Sequence, residues 1–208
     1  MSDPLLQLIS AALRLWIRSR CEQIDSLELN LHGSSFGLMR GRLAGASLQA
    51  RNVRFDGLPL QVAELSSGPI QVDLKLLQPG RMLAVHDPFQ ITGTVTMSGQ
   101  ELSDALVSPR WHGLGDWMAE QLMGLTPLRR LEIDNDVLEL QASVVGDRDP
   151  VRGRFQLRAD QGTVVFFTAG EGDGVETTPL PMDPAIRITD AKLGSGLVCL
   201  QGHATVTP

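Results

Sequence analysis

The sequence predicts one α+β domain in which a long helix lies along a curved antiparallel sheet. Three observations predict it. Residues 4–25 carry apolar side chains at helical spacing, residues 27–97 and 128–206 alternate polar with apolar, and a second helical pattern at 98–124 separates the two meanders. The 208 residues suffice for one sizeable domain, which we expect to span 1–208.

The N-terminal segment predicts an amphipathic helix over residues 4–25. At about 100° per residue, its large apolar side chains share one broad face. They are Leu5, Leu6, Ile9, Leu13, Trp16, Ile17 and Ile24, and the face is widened by Leu8, Ala12 and Leu15. Arg14 and Arg18 fall on the opposite side. Either the apolar face packs wholly on a sheet, or part of it meets acyl chains with Arg14 and Arg18 near lipid headgroups.

The same segment is typical neither of a signal peptide nor of a membrane span. Its start, "MSDP", is acidic, and three arginines follow where a small-residue cleavage site should lie. The apolar run from Leu5 to Leu13 is far shorter than the roughly 20 residues that a membrane-spanning helix needs. We therefore expect a cytoplasmic protein or one that is peripheral to the inner face of a membrane.

Short alternating runs predict the strands of both meanders. The first contains "LELNLH" (27–32), "ASLQARNVRF" (46–55), "LPLQVAEL" (58–65), "PIQVDL" (69–74) and "PFQITGTVTM" (88–97). Asp56-Gly57 is a strong hairpin signal between two of them. The second contains runs at 128–134, 136–145, 150–160, 163–167, 185–189 and 196–206. The Gly-, Pro- and acid-rich stretch 168–184 is typical of a mobile surface loop.

A helical unit is predicted between the meanders, near 98–124. Ser98 followed by Glu101 forms a capping-box pattern at its start. Trp117, Met118 and Leu122 then recur at helical spacing. These side chains could form a pliable wall for acyl chains or an ordinary core.

Composition and charge narrow the classes of partner. The formal net charge is −6 with a pI near 5.2, which argues against nucleic acid as a partner. Residues 1–60 carry a net +2 and residues 61–208 a net −8, so the early segment is the better face for anionic lipid. The two cysteines, Cys21 and Cys199, are predicted to be free thiols.

No residue pattern in the chain predicts catalysis, a metal site or a cofactor. "GSSFG" (33–37) matches G-x-S-x-G around Ser35, but we expect a loop between strands there instead of a nucleophile elbow. The histidines are scattered without metal spacing: His32, His86, His112 and His203. Two acidic groups are predicted to be turns, not calcium loops: Asp134, Asp136 and Glu139, and Glu171 with Asp173.

Three long segments resemble a known family. They are "LRLWIRSRCEQIDSLELNLHG", "LMRGRLAGASLQARNVRFDGLPLQVAELSSGPIQVDLKLL" and "DPFQITGTVTMSGQELSDALVSP". Together they resemble the LmeA-like phospholipid-binding family. The likeness is distributed over about residues 8–145, with "MSGQELSDALVSP" (97–109) close to a family pattern. It implies a strongly twisted sheet wrapped around the helix, related to half of a tubular lipid-binding module. It also implies phospholipid binding without catalysis and supplies no catalytic residue.

The combined prediction is binding of a phospholipid or similar amphiphile in an apolar groove between helix and sheet, for lipid transfer or envelope maintenance. The candidate lipid contacts are Leu5, Leu8, Ile9, Leu13, Trp16, Ile17, Trp117, Met118 and Leu122, with Arg14 and Arg18 as candidate headgroup contacts. One alternative is a protein-interaction or assembly factor that uses the apolar helix face on a protein partner. Another is a hydrolase built around Ser35.

Overall fold

The structure, a computed structural model, describes residues 4–73, 84–85, 87–143, 149–170 and 176–207. Its helices are α1 (Pro4–Arg20), α2 (Ser35–Met39), α3 (Gly99–Leu106) and α4 (His112–Met123). Its strands are β1 (Gln23–His32), β2 (Arg42–Leu43), β3 (Gly45–Phe55), β4 (Leu58–Ser67), β5 (Ile70–Asp73), β6 (Ala84–Val85), β7 (Phe89–Ser98), β8 (Leu128–Asp134), β9 (Val137–Ala142), β10 (Val151–Asp160), β11 (Thr163–Thr168), β12 (Thr178–Pro179), β13 (Ile186–Gly194) and β14 (Leu197–Val206).

The described strands form three antiparallel sheets. The large sheet has the order β1-β3-β4-β7-β14-β13, and a second sheet has the order β12-β11-β10-β9-β8. A small sheet of order β2-β5-β6 accompanies them. The prediction of a mainly antiparallel fold with an N-terminal helix is therefore confirmed.

The large sheet has one apolar face, which we call the inner face. Its rows of paired residues are Leu31–Ala46–Ser67–Ile91–Ala204, Leu29–Leu48–Leu65–Gly93–Gly202 and Leu27–Ala50–Ala63–Val95–Leu200. The intervening rows point the other way and are polar, such as Glu28–Gln49–Glu64–Thr94–Gln201. Because side chains alternate along a strand, this register places apolar side chains on one face of the sheet and polar side chains on the other.

Helix α1 is shorter than predicted. It ends at Arg20, whereas the apolar periodicity predicted a helix to residue 25. Ile24 instead belongs to β1 and pairs with Val53 of β3. The apolar helical spacing extends to Ile24, but pairing with β3 places this residue in a strand. Within the described ranges, no helix is both long and apolar enough to cross a membrane.

The predicted second meander is divided between two sheets. β8 to β12 form the second sheet, whereas β13 and β14 join the large sheet beside β7. Backbone contact links the two sheets, because the Ile188 amide donates to the Gly162 carbonyl over 2.9 Å. Local alternation predicts that a segment is a strand, but it does not say which strand lies next to it.

The stretch 168–184 differs from the predicted mobile loop at its C-terminal part. Thr178 and Pro179 pair with β11, and the Leu180 amide donates to the Val164 carbonyl over 2.8 Å. Leu180 and Met182 pack against the main apolar core. Residues 171–175 lie outside the described residues.

The main core lies between the helices α3 and α4 and the second sheet. Its fully buried side chains include Leu106, Leu131, Leu138 and Leu140. Ser103 Oγ in α3 accepts a hydrogen bond from the Leu131 amide over 2.9 Å, which fixes α3 to β8. The two helices therefore occupy the predicted helical unit.

The capping box predicted at the start of α3 is wrong. Ser98 is the N-cap residue, but its side chain makes no capping hydrogen bond. Instead, the Gly99 amide donates to the Gly196 carbonyl over 2.8 Å. The β13–β14 hairpin thus supplies the acceptor that a helix N-terminus needs.

Gly93 and Gly113 give a matched test of the close approach between β4 and β7. A Cβ on Gly93 would lie 2.2 Å from the Glu64 carbonyl oxygen, whereas a Cβ on Gly113 in α4 would meet nothing within 4 Å. We expect Gly93→Ala to lower the free energy of unfolding by about 1–3 kcal/mol through overpacking. Gly113→Ala should be neutral or should raise it by up to about 1 kcal/mol. Urea denaturation measures both; equal stability of the two variants would contradict the close approach.

Candidate functional site

A groove of about 480 Å³ lies between α1 and the inner face. This volume is within the range of ligand pockets. Its lining comprises Leu13, Trp16 and Ile17 of α1, Leu43, Ile70 and Val72 of the small sheet, and Leu29, Leu31, Ala46, Leu48, Leu65, Ser66, Ser67, Phe89, Ile91 and Val206 of the large sheet. Apart from the two serines, every lining residue is apolar.

The N-terminal half of α1 is anchored next to the groove. Leu6 and Ile9 are buried in a cluster with Leu38 of α2. Ser10 is buried as well, and its Oγ donates to the Leu29 carbonyl of β1 over 2.6 Å. A buried hydroxyl is tolerated only when it is hydrogen-bonded, so this contact fixes the position of α1 along β1.

The middle of the inner face is only partly covered. Leu48, Leu65 and Ile91 are half-buried, although they lie in the interior of the large sheet. By contrast, Ala50 and Ala63, one row further along the same strands, are 3% and 4% exposed. The groove is therefore a region of the inner face that the rest of the fold leaves partly uncovered.

Three of the sequence-predicted lipid contacts line the groove, namely Leu13, Trp16 and Ile17. Leu5 and Ile9 lie further towards the helix start, where they pack in the cluster around Leu38. Leu8 is 68% exposed and faces away from the core. The predicted broad face of α1 is thus divided into a buried part, a groove-lining part and an exposed part.

The other three predicted contacts lie apart from the groove. Trp117, Met118 and Leu122 are on α4 and pack in the core with the second sheet. Helical spacing showed that they were apolar and aligned, but it did not show which sheet they would cover.

A second, smaller cavity of about 210 Å³ lies in this core. Met118 lines it, as does Trp111, whose indole Nε1 donates to the Asp56 carbonyl over 2.9 Å. Arg110 forms an ion pair with the Asp56 carboxylate. These contacts tie the α3–α4 connection to the β3–β4 hairpin at the cavity wall.

The two candidate headgroup residues lie on the helix that lines the groove, but they are not part of its lining. Arg14 and Arg18 each follow a groove-lining residue of α1 directly in sequence. Arg14 is half-buried and its Nε donates to the Ser10 carbonyl over 3.4 Å, whereas Arg18 is exposed. Both arginines therefore lie on the same helix as Leu13, Trp16 and Ile17, outside the apolar lining.

Sequence reasoning missed the strand residues of the lining, such as Leu65, Ile91 and Val206. Their alternation with polar neighbours did assign them to an apolar sheet face. The missing information was the strand order, which brings β4, β7 and β14 side by side.

The motif around Ser35 is not the predicted loop. Ser35 begins α2, and Ser34 Oγ accepts from the Gly37 amide over 3.1 Å as its N-cap. The interpretation of 33–37 as a loop between strands is wrong because this cap stabilises a short helix. His32 Nε2 is hydrogen-bonded with Ser47 Oγ at 2.9 Å.

The remaining polar candidates occupy ordinary structural positions. Asp134 and Asp136 flank Asn135, whose φ of 54° forms the predicted turn between β8 and β9. No group of three or more metal-ligating side chains is found in the part of the chain that the structure describes. His86, Glu171 and Asp173 lie outside that part.

Both cysteines are free thiols, as predicted. Cys21 follows the last turn of α1 and packs against the cluster of Leu27, Ala50 and Val53. Burial raises the pKa of the Cys21 thiol above its ordinary value.

Comparison with known proteins assigns a family. A family model described as LmeA-like phospholipid-binding matches residues 2–202 of the 208. A search of curated proteins and a search of solved structures each found no significant match. The matched range includes every described helix and all of the inner face except the end of β14 beyond residue 202. The chain therefore belongs to the LmeA-like phospholipid-binding family.

Proposed function

We propose that the protein binds one phospholipid or similar amphiphile without catalysis, with an acyl chain in the groove between α1 and the inner face. The observation that carries the proposal is the almost wholly apolar lining of a groove of about 480 Å³. Membership of a phospholipid-binding family supports the choice of ligand. We infer that the large sheet twists strongly and wraps around α1, as in half of a tubular lipid-binding module.

The energetics of the groove favour a hydrocarbon ligand. Each methylene group moved from water into an apolar site contributes about 0.8 kcal/mol before the cost of ordering the chain. The half-buried Leu48, Leu65 and Ile91 would lose their remaining water contact when an acyl chain covers them. A polar ligand would find few hydrogen-bonding side chains in the lining, namely the indole of Trp16 and the hydroxyls of Ser66 and Ser67.

Arg14 and Arg18 are the proposed contacts of the headgroup phosphate. A guanidinium group pairs with phosphate through two parallel hydrogen bonds and is weakly hydrated, so it suits the edge of an apolar site. Reversible binding of this kind serves lipid transfer or maintenance of a membrane envelope. The expected place of action is the inner face of a membrane.

Filling the groove should block lipid uptake. Ala46 points into the groove from β3, so Ala46→Phe places a ring where the acyl chain would lie. Ser47 is its neighbour on the opposite face of the sheet, and Ser47→Phe is the matched control. After incubation with phosphatidylglycerol vesicles, native mass spectrometry should find one bound phospholipid on the wild type and on Ser47→Phe. We expect at least about tenfold lower occupancy for Ala46→Phe.

Equal occupancy of the two phenylalanine variants would remove the groove from the proposal. A wild-type protein that takes up no phospholipid at all would overturn the proposed function itself. Thermal unfolding of both variants, monitored by circular dichroism, verifies that each is folded before the comparison.

Charge reversal at the proposed headgroup contacts should weaken phospholipid binding. The double variant Arg14→Glu with Arg18→Glu loses two charge-assisted contacts and gains repulsion of the phosphate. Titration with monomeric dihexanoyl phosphatidylglycerol should show a fall in affinity of at least about tenfold, since each such contact contributes more than about 1 kcal/mol. Arg129→Glu with Arg130→Glu, on exposed positions of β8, is the matched control. Equal affinities of the two double variants would exclude these arginines as headgroup contacts.

A further inference from the structure

Four large apolar side chains are exposed on the outer side of α1 and α2, a surface that we call the ridge. Leu8 and Leu15 of α1 are 68% and 70% exposed, and Phe36 and Met39 of α2 are 58% and 63% exposed. None of the four lines the groove. Single exposed apolar residues are common on proteins, but a cluster on neighbouring helices indicates an interaction surface.

The four residues lie on two neighbouring helices. Leu8 and Leu15 are seven residues apart, so they lie on the same side of α1. α1 and α2 are neighbours because Leu6 and Ile9 share a buried cluster with Leu38. The four ridge residues are exposed and are not members of that cluster.

The charge of the ridge segments is entirely positive. Residues 4–21 and 33–44 contain five arginines and no acidic residue, and the arginines are Arg14, Arg18, Arg20, Arg40 and Arg42. Because the chain carries −6 in total and these segments carry +5, the rest of the chain carries −11. Such a separation of charge orients a protein towards an anionic surface.

Two of these arginines stack on aromatic rings. The Arg40 guanidinium lies 4.1 Å from the ring centroid of Phe36, and that of Arg20 lies 5.6 Å from the ring of Trp16. A stacked guanidinium keeps its charge while its flat face covers apolar surface. The pairs therefore combine an apolar side with a cation, as an interface between hydrocarbon and anionic headgroups requires.

We propose that the ridge docks the protein on an anionic lipid bilayer, with the four apolar side chains inserted among the acyl chains and the arginines at the phosphates. Two segments with exposed large apolar residues, five arginines and no acidic residue match the chemistry of a helix that lies in a membrane interface. This surface is separate from the groove, and it deepens the proposed function by giving the lipid-binding site a membrane to act on.

The end of α1 connects the ridge with the groove. Trp16 lines the groove, is 36% exposed and directly follows Leu15 of the ridge. Arg18 and Arg20 extend from the same end of α1. A docked protein therefore holds this end of α1 near the headgroup layer.

The test is flotation with vesicles of phosphatidylglycerol and phosphatidylcholine, compared with vesicles of phosphatidylcholine alone. The wild type should float with the mixed vesicles and should be released by high salt. Leu8→Ser with Leu15→Ser should lower the partition coefficient at least about tenfold, and Phe36→Ser with Met39→Ser should do the same. Val107→Ser with Ile186→Ser, at positions 43% and 40% exposed outside the ridge, is the matched control and should float as the wild type does.

Flotation of the ridge variants at the wild-type level would overturn the proposal. So would a wild type that fails to float but forms a dimer that Leu8→Ser with Leu15→Ser dissociates, because the ridge would then contact a second copy of the chain. Uptake of monomeric phosphatidylglycerol separates the two proposals. Flotation without uptake contradicts the lipid-binding groove alone, and uptake without flotation contradicts the docking surface alone.

Discussion

One helix about 10–12 Å across cannot cover the inner face of a six-stranded sheet about 24 Å wide. This mismatch in width is the constraint on which the groove depends. The rows of the sheet carry apolar side chains from β1 to β14, whereas α1 lies along β1 at one edge. Leu65 and Ile91, nearer the centre, are left half-buried as a consequence. The groove is the uncovered remainder of an otherwise ordinary amphipathic sheet.

The hydrogen bond from Ser10 to Leu29 determines which part of the inner face α1 leaves uncovered. It holds the first half of α1 at the sheet edge, and the cluster of Leu6, Ile9 and Leu38 reinforces it from the side of α2. The second half of α1 has no comparable polar anchor to the sheet among the described contacts, so its apolar residues lie over the groove. Division of one helix into an anchored half and a groove-lining half accounts for the different exposure of Ile9 and Trp16.

Sequence patterns predicted the helices and strands better than they predicted which of these elements lie next to each other. Alternation predicted β1, β3 and β4, and helical spacing predicted Leu13, Trp16 and Ile17 as groove residues because these properties are local. Ile24 was assigned to the helix because its pairing with Val53 depends on residues far away in sequence. Periodicity likewise showed that Trp117 belongs to an apolar helix face, but it could not show that this face packs on the second sheet and not beside the groove. The groove wall formed by Ile91 and Val206 needed the order of strands, which no local pattern contains.

The pairing of β7 with β14 joins Phe89 to Val206, residues more than 100 positions apart. Contacts so distant in sequence form late, because the intervening chain must lose the entropy of loop closure first. During synthesis on the ribosome, β1, β3, β4 and β7 emerge long before their last neighbour. Until β14 pairs with β7, the apolar inner face of these strands is exposed, as in an aggregation-prone folding intermediate. The demand for a chaperone should accordingly be greatest between the emergence of residue 98 and that of residue 206.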